Sequence, residues 1–453
     1  MTDSGSALEQ RLGLLDAVLL SFGGMVGSAI FIFPGTTGRL VGPASVGAWL
    51  LAGVLMVAVA LCYTELALAF PRAGAIAVFP YESFGPYPSI RAFASYLEGV
   101  GYTIGWVFAI TISALAAANY LAVVVPAAAG HTVGVALAAI VLAAVVNLLG
   151  VTVASRTNLL LSALLLAVLL AFVATGLSAA SPANYRPVVT GGTWDFFAAV
   201  QVAITGYGAW TAIPSAVEEI RDPSRTVPRA ILLSLALTTV VYTAIVAAVH
   251  GVVSPSQFVE GSVAAQAPLR VAADALALPW LRALLAVAAV VAIFTTMLIG
   301  MLSAGRVLLA LGRNDTLPAV FETTSDRFSV PWVAIAFVAV VAGALATVPQ
   351  YFYQLLVIAA VVGTGLPYAI NVLSFVGFRY YRRDVTPSFR APGGYALPVV
   401  AFVVLAIAML GLGSTEVLWS VGALVALSAY FVVRTARNPE ILRGVPAAES
   451  DPE

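Results

Sequence analysis

The 453-residue chain has no lysine, one cysteine and two histidines. Its 21 basic residues are therefore all arginine, and they balance 21 acidic residues to zero net charge. The absence of lysine removes amine chemistry from any mechanism. The lone Cys62 excludes an internal disulfide and a cysteine-built metal site. His131 and His250 are too few to assemble a metal cluster. Charge itself is scarce. Only 9% of residues are charged and 61% are hydrophobic, where a soluble domain carries roughly 25% charge. Such a chain cannot cover a water-facing surface, which excludes a soluble enzyme and a nucleic-acid-binding protein.

Long apolar runs are what the sequence has in abundance. A helix needs about 20 apolar residues to span the hydrocarbon of a bilayer. Twelve stretches meet that need, near 14–38, 44–70, 92–125, 133–150, 157–179, 194–216, 229–253, 281–311, 331–348, 353–378, 395–413 and 416–435. The predicted fold is an all-α polytopic membrane protein with about 12 transmembrane helices. The polar first ten residues lack the charged region and cleavage site of a signal peptide, so the first helix is expected to be permanent. With both termini in the cytoplasm, 17 arginines fall on the inner side and four (Arg39, Arg186, Arg270 and Arg282) on the outer. The positive-inside rule favours that topology in the cytoplasmic membrane.

Two spans carry breaks at corresponding places. The first contains Gly23-Gly24-Met25-Val26-Gly27-Ser28-Ala29, with Pro34-Gly35 beyond. The sixth contains Thr205-Gly206-Tyr207-Gly208-Ala209-Trp210, then Pro214. Paired Gly/Pro interruptions point to a transporter site between two repeats. The period of five helices is odd, so the second repeat is inverted. The chain then divides into a tail (1–13), a first repeat (14–179), a second repeat (194–378), two further helices (395–435) and a tail (436–453). A helix opened at its middle presents N–H groups suited to a carboxylate and C=O groups suited to an ammonium. One site with both suits an α-amino acid. Glycines that merely allow close helix packing are the plainer explanation of either cluster alone.

These residues resemble the amino acid–polyamine–organocation superfamily, with its leucine-transporter-like fold of 5+5 inverted repeats plus two C-terminal helices. Val26-Gly27-Ser28-Ala29-Ile30-Phe31 resembles the first-helix signature, and Glu218-Glu219-Ile220-Arg221-Asp222-Pro223-Ser224-Arg225-Thr226-Val227-Pro228-Arg229 the loop after helix six. Tyr63 to Gly74 resembles the second-helix ending, and Arg306 with Arg313 to Pro318 the end of helix eight. The resemblance implies a substrate carboxylate on the amides of Gly27, Ser28 and Ala29. It places the ammonium at the carbonyls near Met25 and from Thr205 and Gly206 to Gly208. Tyr207 or Trp210 is then a lid, and Met297 lines the side-chain pocket. Ala29 and Ala209 stand where the family usually has glycine, and Thr211 where some relatives carry an acid. A short interfacial helix is implied for 74–88.

Some relatives place a coupling lysine on helix five, near Leu165 here; with no lysine that mechanism is absent. The coupling ion is read as H+ or Na+, with Gly24, Thr295 and Thr296 as the sodium candidates; no cofactor or metal is expected. Hydroxyls that bond back to their own helix are the plainer reading of both threonines. Glu65 and Glu98 are read as charges near helix ends, Glu65 paired locally with Arg72. His131 and His250 are expected to be solvated, the tail after Arg437 to be disordered, and Arg221 to Arg229 to latch against Glu218, Glu219 and Asp222. With no acid expected in the middle of helices one, three, six, eight or ten, a neutral substrate is favoured. The expected function is secondary active transport of a neutral amino acid by alternating access, by a monomer or homodimer. The alternatives are an amino acid exchanger or a carrier of an amine or another small organic solute. An enzyme or a channel lacks the paired acids or pore rings it needs.

Overall fold

The computed structural model describes residues 12–71, 75–150, 155–215, 217, 220–313, 315–325 and 330–443. Every regular element among them is helical and none is a strand. In chain order the α-helices are α1 (Leu14–Met25), α2 (Ala29–Val41), α3 (Ser45–Ala69), α4 (Ala75–Ser83), α5 (Pro88–Val124) and α6 (Thr132–Leu148). Then come α7 (Ser155–Ser178), α8 (Thr193–Gly206), α9 (Ala212–Ser215), α10 (Pro223–Val252), α11 (Val263–Gln266) and α12 (Pro268–Ala275). The remainder are α13 (Pro279–Arg313), α14 (Trp332–Ala346), α15 (Phe352–Ala360), α16 (Leu366–Tyr381), α17 (Ala396–Gly411) and α18 (Ser414–Arg437).

Each predicted apolar stretch contains helix, and the protein is a multi-pass membrane protein. Six helical stretches are long and apolar enough to cross a bilayer: Ala29–Ala69, Pro88–Val124, Pro223–Val252, Pro279–Arg313, Pro349–Tyr381 and Val417–Arg437. Leu142, Leu164, Val240, Val340 and Leu418 point outward from α6, α7, α10, α14 and α18 and are more than half exposed. In water that surface would drive aggregation; against lipid tails it is at rest.

The helices pack in two groups. α1 lies on α10, α2 on α8, and α3 on both α8 and α10. In the other group α5 runs along α13, and α6 and α14 pack on both. Polar side chains pin these packings. Asn147 of α6 donates to the Leu298 carbonyl of α13 at 3.3 Å, and Gln201 of α8 to the Ala360 carbonyl at 2.7 Å.

Three breaks interrupt the long helices. The first lies between Met25 and Ala29, the second at Tyr207, as the glycine clusters predict. The third, not among the expected breaks, is a π-helical segment from Val361 to Gly365 between α15 and α16. Pro367 follows it and lacks the N–H that a regular helix would return to Gly363. Gly363 also lies bare against Gly105 of α5, where a Cβ on Gly105 would come within 2.7 Å of the Gly363 Cα. The wider turn and the close crossing occur together.

Several expectations are corrected. His250 is wholly buried and its Nε2 lies 2.8 Å from Ser45 Oγ, because α10 extends to Val252 and α3 covers its end; His131 is exposed as expected. Glu65 pairs with Arg379, and its expected partner Arg72 lies outside the described residues. Pro439–Arg443 forms a 3-10 turn whose Ile441 is buried with Tyr96 and Phe431, so this part of the tail is folded, and the rest lies outside the described residues. Glu218 and Glu219 lie outside the described residues, and the exposed Arg225–Asp222 pair stands at 4.0 Å. The firmer tie there is backbone: Arg221 N–H donates to the Leu12 carbonyl at 2.9 Å.

Candidate substrate cavity

The breaks open onto one cavity of about 130 Å³. Gly24, Met25, Gly27, Ser28 and Ala29 form its wall at the first break, and Thr205, Gly206, Gly208 and Ala209 at the second. The α5 wall is Glu98, Tyr102, Gly105, Trp106 and Ala109, and the third break adds Gly363, Thr364, Pro367 and Tyr368. For scale, an apolar cavity of about 150 Å³ accepts a benzene ring.

Backbone geometry at the first break follows from its neighbours. Gly27 N–H turns back to the Met25 carbonyl at 2.7 Å, and Ser28 N–H donates to Thr296 Oγ1 at 3.1 Å. A Cβ on Gly27 would meet that Oγ1 at 2.5 Å, so α13 can approach only because the position is glycine. Ser28 Oγ accepts from Ser113 Oγ of α5 at 2.9 Å. The N–H groups of Ala29 and Ile30 open α2 and have no carbonyl one turn back in their own helix. That helix end carries partial positive charge at the cavity wall.

The carbonyls of Met25 and Gly206 end the first halves of the two broken helices. Both accept from the Tyr242 hydroxyl of α10, Gly206 at 3.2 Å. One side chain thus ties the two breaks together. It went unnoticed in the sequence, where nothing distinguishes Tyr242 from the 15 other tyrosines.

The two alanines that replace family glycines also meet here. A Cβ at Gly24 would lie 3.2 Å from that of Ala209, and one at Gly206 would lie 3.6 Å from that of Ala29. Each extra methyl faces a glycine of the opposite break, which makes room for it. A Cβ at Gly208 would find only Tyr368 Oη, at 3.7 Å.

Among the sequence-predicted residues, three stand behind the wall. Tyr207 is buried and donates to the Trp49 carbonyl at 3.1 Å. Trp210 is fully buried, with ring centres 4.9 Å from Tyr63 and 5.8 Å from Tyr368, so it backs two tyrosines of the cavity wall. Met297 is buried in the core and does not line the cavity. A second cavity, about 90 Å³, lies between α1, α7 and α13 and includes Gly23, Ser162, Leu165 and Thr295. Thr295 and Thr296 donate to carbonyls of their own helix, at 3.0 and 2.8 Å. No group of acidic, histidine or cysteine residues suited to a metal occurs among the described residues.

Glu98 overturns the expectation that no acid stands in the middle of helix three. α5 starts at Pro88, earlier than the apolar run suggested, so Glu98 is ten residues inside it. It is fully buried and on the cavity wall. Asn371 donates to its Oε1 at 2.5 Å and to Tyr63 Oη at 2.9 Å.

The sequence profile of the amino acid permease family matches residues 12–433. The branched-chain amino acid permease BcaP of Bacillus subtilis is 26% identical over 450 residues, 95% of this chain and 94% of that one. An uncharacterised transporter of Mycobacterium tuberculosis is 33% identical over 353 residues, 76% of this chain and 75% of its own. The chloroplastic cationic amino acid transporter 9 of Arabidopsis thaliana is 28% identical over 337 residues, 70% of this chain and 58% of the relative.

Proposed function

Since the chain belongs to the amino acid permease family, and is a transporter of amino acids rather than an enzyme, we propose that its substrate has a neutral, branched side chain and crosses the cytoplasmic membrane by alternating access. The arginine count supports twelve spans with both termini in the cytoplasm, and the paired breaks support two inverted repeats of five helices. The observation that carries the reading is the shared cavity of the two breaks. On one side stand the N–H groups at the start of α2, on the other the carbonyl of Gly206. A zwitterion matches both. The rest of the wall is mostly glycine, alanine and aromatic rings, with Glu98, Thr205, Thr211, Thr296 and Thr364 among them, and its apolar part suits a small apolar side chain. The permease of Bacillus subtilis named for branched-chain amino acids supports that choice.

Alternating access fits the packing in two groups, with the cavity between them. Of the sodium candidates, Gly24 and Thr296 line the main cavity and Thr295 the second one, so the three do not converge on one site, which supports proton coupling or exchange over sodium.

The test is reconstitution in liposomes preloaded with unlabelled leucine. Radiolabelled leucine, isoleucine and valine should enter by saturable exchange, and arginine should compete at least tenfold less well. Exchange of arginine alone would transfer the site to a cationic substrate and make Glu98 its counter-charge. No exchange of any amino acid by inserted protein would end the reading.

A further inference from the structure

Among the described residues two carboxyl groups are buried completely, and their surroundings differ. Glu65, on α3, receives two hydrogen bonds from Arg379, at 2.9 and 2.7 Å, and one from the Ala391 N–H at 2.6 Å. Its charge is matched. Glu98, on α5, receives only the Asn371 amide at Oε1; its Oε2 has no partner, nor has Asn371 Oδ1. No arginine or histidine shares the cavity wall with it.

The ionisable groups beside Glu98 are the hydroxyls of Tyr63 on α3, Tyr102 on α5 and Tyr368 on α16. On α4, Glu82 is paired with Arg382. On α13, Arg306 is exposed. On α18, Arg434 bonds to the Asp315 and Leu317 carbonyls. An unpaired charge in such a place is costly. A cation or a proton must therefore accompany Glu98 whenever the cavity excludes water.

We propose that Glu98 is the carboxyl that takes up the coupling proton, at Oε2, from the cavity when it faces outward and releases it when the cavity faces inward. The proposal rests on the transport reading above. An ammonium brings three donors, whereas only two acceptor atoms stand unmatched here. A proton on Oε2 needs one acceptor, and Asn371 Oδ1 is the unmatched one in the same cluster. The position suits coupling as well. Glu98 belongs to the α5 group, while Tyr63 comes from α3 in the other group. Movement of one group against the other changes what surrounds the carboxyl, so proton binding and cavity orientation bias each other reciprocally. The balance is one proton moved with one amino acid, the carboxyl returning unchanged.

The experiment uses full-length protein in liposomes with radiolabelled leucine, wild type against Glu98→Gln and Glu98→Asp. Each variant's accumulation under an inward proton gradient is divided by its own exchange rate without a gradient. A pH dye inside the vesicles records proton entry. The quotient should fall at least tenfold for Glu98→Gln, with proton entry lost, and return in part for Glu98→Asp. An unchanged quotient overturns the assignment. So does loss of exchange by inserted, monodisperse Glu98→Gln, which would make Glu98 a substrate or folding residue. Wild type that exchanges leucine but ignores the proton gradient also overturns it, and leaves the transport reading standing. Wild type that exchanges nothing defeats that reading instead.

Discussion

Tyr242 shows how much one hydroxyl can carry where two helices are open. Its removal as Tyr242→Phe leaves the Met25 and Gly206 carbonyls without their shared donor. The cost of an unmade hydrogen bond at a buried group is about 1–3 kcal/mol. We expect a lower melting temperature and leucine exchange reduced about tenfold or more, with a full-activity Tyr242→Phe protein disproving the bridging role. At Gly208 an added methyl has room, so Gly208→Ala should fold normally and raise the KM for leucine. Gly27→Ala should instead lose stability, since its methyl meets Thr296 Oγ1; equal melting temperatures for these two variants would contradict the packing. The residue types at both breaks were legible because glycine clusters are rare signals in apolar helices. Tyr242 was not, and neither was Glu98. Whether an acid is buried depends on where its helix begins, and the polar residues from Pro88 to Arg91 hid the first turn of α5.

At the scale of elements, the third break sets the α5 wall against the rest of the cavity. Gly105 and Gly363 touch backbone to backbone, so Gly363→Ala should separate the helices and cost about 1–3 kcal/mol through overpacking. Gly134→Ala, on α6 with nothing within 4 Å, is the control and should leave stability the same or slightly higher. Thermal unfolding in detergent of both variants decides the matter; equal losses would show that glycine content, rather than this crossing, is what matters. Apolar length located the helices well, since hydrophobic runs are a property of the local chain. The π-helical segment is hidden for the same reason: the partner that makes Gly363 necessary is some 260 residues away.

Across the whole molecule, the Glu65–Arg379 pair joins α3 to α16 and holds the Ala391 segment against both. Breaking one partner of a buried pair costs about 3–5 kcal/mol, because the other charge is left alone. Glu65→Leu should therefore unfold at much lower temperature, and the double variant with Arg379→Leu should recover part of the loss. A double variant as weak as the sum of the single ones would show that the pair is not coupled. No sequence pattern could name this partnership, since the two residues lie 314 positions apart. The lone Cys62 sits on the same helix, wholly buried. A thiol introduced at Ala109 or Thr364 would then be the one site open to a membrane-impermeant maleimide, applied to either face of the bilayer. The native chain thus serves as its own background for timing when each entrance opens.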